Sequence, residues 1–123
     1  MSESILTTIK KLLNIPEEYE HFDLDILTHI NSEIFVLGQA GVGPKGFMVV
    51  DKSQTWKDYV GEEYQELAAL TSYLYIKVKL IFDPPANSFT IDALNKTASE
   101  YLWRLNFDQE MKTSSVENGS TVE

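Results

Sequence analysis

The chain has 123 residues, 43% of them apolar, which is enough for one hydrophobic core and too little for two independent ones. It contains no cysteine, so disulfides, thiolate nucleophiles and cysteine-ligated metal sites are excluded together, a composition that fits a reducing compartment. Nineteen acidic residues against ten basic ones give a net charge of -9; since nucleic-acid affinity comes mainly from Lys and Arg on phosphates, this argues against a general DNA or RNA binder.

Ile5, Leu6, Ile9, Leu12 and Leu13 recur at helical spacing, with Thr7, Thr8, Lys10 and Lys11 on the other face. A short amphipathic helix from about Ser4 to Leu13 is expected, ended by Asn14 and Pro16. Asp23 can cap the next helix, with Phe22 stapled against Leu27, and Ile26, Leu27, Ile30, Ile34 and Leu37 form its buried face. Gly38 or Gly41 supplies its stop.

The segment from Gly38 to Gly61 carries five of the six glycines and is too long for an ordinary connector. Phe47 to Val50 suits one short strand, and Ser53 or Thr55 suits the cap of a single helical turn through Trp56, Tyr59 and Val60. From Glu62 to Phe82 the pattern is again helical. Glu62, Glu63 and Glu66 stand at its start, Lys77 and Lys79 near its end, and Leu67, Leu70, Leu74, Val78 and Ile81 along its stripe. Asp83-Pro84-Pro85 breaks it. Ser88 then caps a last helix to Phe107 whose face is Ala93, Leu94, Thr97, Ala98, Tyr101 and Leu105.

The expected fold is therefore all-α. It is a small helical domain over 1–107, with two long antiparallel helices, shorter N-terminal helices and one long Gly-rich loop at 38–61. Residues 108–123, rich in Ser, Thr, Asn and Glu, are expected to form a flexible acidic tail. Four carboxylates against Lys112 put -3 of the charge there and leave -6 on the body. Met1-Ser2-Glu3-Ser4 lacks the start of an export signal, and no later run approaches the roughly 18 apolar residues of a membrane span, so a soluble, unexported protein is expected.

No catalytic, cofactor or metal residues are assigned. The Gly38–Gly46 run lacks the strand before, the helix after and the Gly-Lys-Ser/Thr ending of a phosphate loop. His21, Asp23, Asp25 and His29 offer a metal pair without a third and fourth ligand. Glu62, Glu63 and Glu66 read as a solvated helix start, not as acid-base groups, and Tyr73, Tyr75, Tyr101 and Trp103 as core or interface aromatics.

Several segments carry a resemblance. They are Ile9-Lys10-Lys11-Leu12-Leu13, His21-Phe22-Asp23, Thr28-His29-Ile30-Asn31, Leu37 to Pro44, Thr55-Trp56, Tyr73 to Pro85 and Trp103-Arg104-Leu105-Asn106. Together, from about Ile5 to Asn106, the chain resembles the head-tail connector (adaptor) family of tailed bacteriophages, the group of the small helical neck protein of lambdoid phages. The resemblance implies a non-enzymatic virion protein of the neck, made in the host bacterial cytoplasm. It further implies a homo-oligomeric ring of roughly twelve copies that binds the portal protein and receives a stopper or tail-completion protein. DNA would pass its lumen without specific binding, eased by the acidity. Trp103, Arg104 and Phe107 are then the candidate portal-side contacts. Phe47, Met48 and Trp56 are candidate contacts with a neighbouring subunit or neck protein, their loop ordering only in the ring; the same three side chains equally suit the subunit's own core. Composition and periodicity alone also permit a cellular helical interaction module or small regulator, or, less well, a phosphate-using enzyme built on the glycine loop.

Overall fold

A computed structural model describes residues 3–122, with side chains described as far as Met111. Among the described residues it has five helices and no strand: α1 (Ile5–Leu12), α2 (Asp23–Gln39), α3 (Trp56–Val60), α4 (Leu67–Phe82) and α5 (Ser88–Val122). The all-α expectation holds.

α1 starts where Ser4 Oγ accepts the Thr7 amide at 3.2 Å. It ends where Asn14 enters the left-handed region at φ 63° and the amides of Asn14 and Ile15 return to the carbonyls of Lys11 and Lys10. α2 ends in the same way on a glycine. Gly41 at φ 86° follows the last turn, its amide and that of Val42 bond the carbonyls of Gly38 and Leu37, and Val42 and Leu37 are both buried at the join. Gly38 lies inside the helix, so Gly41 is the stop.

Four boundaries differ from expectation. Asp23 is the first residue of α2, not its cap; the cap position is Phe22, without a side-chain bond, because the Asp23 carboxylate is drawn to Lys10. α4 begins at Leu67, five residues late, because Gly61 at φ 87° turns the chain and Tyr64 folds onto the core. Glu62 and Glu63 consequently precede the helix, Glu62 pairing with Lys57 at 2.9 Å, and Glu66 takes the cap position. The last helix is capped by Asn87, not Ser88: its Oδ1 accepts the Phe89 amide at 2.7 Å. That helix also continues to Val122, past the expected end at Phe107. Much of the 108–123 tail, with its expected flexibility, lies outside the residues whose side chains are described.

α4 and α5, joined through 83–87, pack as the expected antiparallel hairpin, and α2 lies against α4. Leu70, Leu74 and Val78 of α4, Ile26, Ile30 and Leu37 of α2, Ile5 and Ile9 of α1, and Ala98 and Leu105 of α5 form one core. Leu67 and Ile81, expected on the α4 stripe, are exposed, as is Ala93 of α5. α1 is tied to the far end of the long loop by an antiparallel bridge between Ser4 and Thr55, with Ile5 N donating to Gln54 O at 3.0 Å and Trp56 N to Glu3 O at 3.2 Å.

Candidate functional site

The long loop is built from its own chain. The expected strand at Phe47–Val50 does not form, because its partner is a side chain: Asn31 of α2 accepts the Val49 amide at 2.8 Å and donates to the Val49 carbonyl at 2.9 Å, imitating one rung of a ladder. Val49 is buried beneath this clamp. Further on, Gln54 Oε1 accepts the amides of Val50 and Asp51, and Thr55 and Asp58 close a capping box that starts α3. These bonds tie the loop to its own subunit.

The three loop candidates separate. Trp56 is buried in the subunit's own core, its indole N–H donating to Thr8 Oγ1 at 3.1 Å. Phe47 is half-buried and stacks on Tyr59 with ring centroids 4.8 Å apart. Only Met48, 58% exposed, is open to solvent. Beside it α2 presents Phe35, 67% exposed. Phe35 lies about half a turn of the wheel from the buried Ile26–Ile30–Leu37 face, so a large apolar residue on the polar side was the sequence signal that could have found it. Between α2 and the loop lies a groove of about 570 Å³ lined by Phe35, Gly38, Pro44, Phe47 and Met48, with Lys45 among its lining residues.

Trp103 and Phe107 stack on each other one turn apart on α5, ring centroids 5.2 Å and planes 12° apart, and Met111 follows at the next turn. All three are about half exposed or more, because they stand opposite Ala98 and Leu105, which face α4. Arg104 is exposed next to them. On the inner side of the same helix, Asn106 Nδ2 donates to Ala40 O at 2.9 Å, and a Cβ on Gly41 would come within 2.9 Å of Gln109. α5 is thereby fixed to the end of α2, and its outer stripe has a defined direction.

Two polar arrangements inside the body were not foreseen. Lys10, expected on the solvent face, is 2% exposed; its Nζ donates to the carbonyls of Glu17 at 2.9 Å and Tyr19 at 2.7 Å and pairs with Asp23 at 2.8 Å. All its donors serve to fasten the connection between α1 and α2, which leaves no free amine for chemistry. Glu33 of α2 is buried and accepts the Tyr73 phenol of α4 at 2.8 Å.

Burial, then the Glu33 bond and its charge, push the Tyr73 phenol well above its ordinary value. Burial, then neighbouring Tyr64, does the same at Tyr59, and burial with the charges of Asp108 and Glu66 pushes Tyr64 up to about 12. Raised phenols hold their protons more tightly in the folded chain than in the unfolded one. Their contribution is thus complete below the ordinary value of 10.0 and is lost as the pH climbs through the folded values. Tyrosinate absorbance of these three should therefore rise together with the loss of helical circular dichroism above pH 10. Full ionisation near that pH with the helices intact would contradict it.

Among the described residues, no three His, Cys, Asp or Glu gather to hold a metal, and no helix is long and apolar enough to cross a membrane. Among the described residues, the α2–loop groove and the α5 stripe each gather several exposed apolar side chains, an arrangement suited to contacts between proteins. No curated protein and no solved structure matches the chain. A family model described as phage connector protein matches residues 5–112, from the first residue of α1 to beyond the α5 stripe, and the chain belongs to that family of virion structural proteins.

Proposed function

We propose that this connector assembles into a closed ring beneath the portal vertex, extends the DNA channel and offers its far side to a stopper or tail-completion protein. The observation that carries the reading is the stacked Trp103–Phe107 pair, held outward on a helix whose inner side is fixed by Asn106 and Gln109. An apolar surface in so defined a direction is suited to a rigid partner. A ring of roughly twelve copies would be closed and cyclic, as head-to-tail contacts require. The net charge of -9 supports passage of DNA, since a lumen poor in Lys and Arg gives phosphates little to hold. Synthesis in the host bacterial cytoplasm and residence in the neck follow from this reading.

The test is to mix the purified chain with the cognate portal protein and measure the size and symmetry of the product by light scattering and electron microscopy. A ring seated on the portal is expected. Failure to bind portal under conditions where the neck assembles would remove the reading.

A further inference from the structure

The α2–loop groove and the α5 stripe lie on different helices and differ in form, one concave and one convex. We propose that they meet between copies: the Trp103–Phe107–Met111 stripe of one subunit seats in the groove beside Phe35 and Met48 of the next. This rests on the connector reading and names the neighbouring copy, not the portal, as the partner of the stripe.

Three observations favour a second copy. The chain itself carries both halves of the contact, an apolar helix face and an apolar groove, the arrangement in which helices are read by i, i+4 and i+8 anchors. Charge matches in sum: Lys45 lies in the groove, and the exposed Glu100 and Glu110 at the two ends of the stripe outnumber the exposed Arg104 beside it. The third observation is one of area. Trp103 is 66%, Phe107 47%, Met111 53%, Phe35 67% and Met48 58% exposed. Full burial of these five would remove on the order of 600 Å² of apolar surface, below the about 1,200 Å² at which a standard interface begins. A contact of that size holds two free copies weakly. In a closed ring every copy uses both surfaces, and the summed contacts are held in place by one another.

In a ring the contact is head-to-tail, each stripe and each groove being used with a different neighbour. A two-fold dimer would instead pair stripe and groove reciprocally between the same two copies, or like against like, and would stop at a linked pair with no ladder.

The absence of cysteine gives a direct test. Met48→Cys and Phe107→Cys both change exposed positions, so folding is preserved, which circular dichroism checks. Rings are assembled on the cognate portal and oxidised. A chain carrying both substitutions should give a ladder of disulfide-linked multimers, and a mixture of the two single variants should give a linked pair of unlike chains. Linkage of either single variant to itself would show a two-fold contact and overturn the proposal. So would the absence of linkage in rings of confirmed size, or capture of the Phe107→Cys chain by a portal cysteine while Met48→Cys stays unlinked. Any of these leaves the connector reading standing, because that reading fails only if no ring binds the portal.

Discussion

Replacing Lys10 with Met should lower the unfolding free energy by about 3 kcal/mol, read as a shift in the urea midpoint at constant slope. The substitution keeps the apolar stem and removes only the ammonium. It leaves the carbonyls of Glu17 and Tyr19 and the Asp23 carboxylate facing a buried position without their cation. Both carbonyl bonds are part-buried, so water replaces the lost partner only in part and each loss costs more than the same bond at the surface. Asp23 remains 22% exposed, so water reaches part of the carboxylate and the loss stays near the lower end of the range for broken buried pairs. Lys11→Met is the control. Lys11 is 60% exposed and 3.8 Å from Glu3, and its loss should cost well under 1 kcal/mol. Equal midpoints for the two variants would mean that the Lys10 clamp contributes nothing.

Gly43→Ala should be comparably severe, at about 3 kcal/mol, while Gly46→Ala should cost about 1 kcal/mol. Both glycines have positive φ, 75° and 84°, so both variants carry the backbone cost of a left-handed alanine. They differ in space. A Cβ at Gly46 meets nothing within 4 Å, whereas one at Gly43 would collide with Cε1 of Tyr59. Tyr59 is 2% exposed and stacked on Phe47, so its ring cannot move aside without displacing the wall of the α2–loop groove. On the proposed ring contact, Gly43→Ala should therefore impair assembly as well as stability, and Gly46→Ala should leave assembly intact. Thermal melts of the two variants separate the steric part from the backbone part, and identical melting temperatures would dismiss the steric argument.

The parts of this structure that were legible in the sequence are those decided by neighbours along the chain. Asn14 ends α1, and of the candidates Gly38 or Gly41 and Ser53 or Thr55 the second of each acts at its helix end, through bonds that reach only a few residues. The apolar periodicity of α2 and the Pro84-Pro85 break between α4 and α5 belong to the same class. What escaped was set by residues far apart. Lys10 reads as a surface residue until the chain at 17–23 folds back over it. Asn31 shows no sign of serving Val49, eighteen residues on. The helical pattern over 62–66 is real in propensity, yet Gly61 and the burial of Tyr64 outweigh it.

The candidate surfaces followed the same division. Trp103 and Phe107 come from the family resemblance, which points to the end of the last helix; the structure adds that they stand off the buried face of α5. Trp56 could not be assigned from sequence, since the five residues of α3 are too few to show a periodicity; its indole bonds Thr8, forty-eight residues away. Phe35 was visible in principle, standing opposite the core face of α2.

The Asn31 clamp also bears on how this chain meets other chains in solution. Extended backbone with free N–H and C=O groups is a template on which strands of other chains can pair, and such pairing leads toward aggregation. At Val49 that template is closed from within: both main-chain groups are already taken by one amide side chain of a rigid helix. The loop thus leaves the Met48 side chain open to solvent, while its backbone at Val49 offers no edge for misdirected β-pairing.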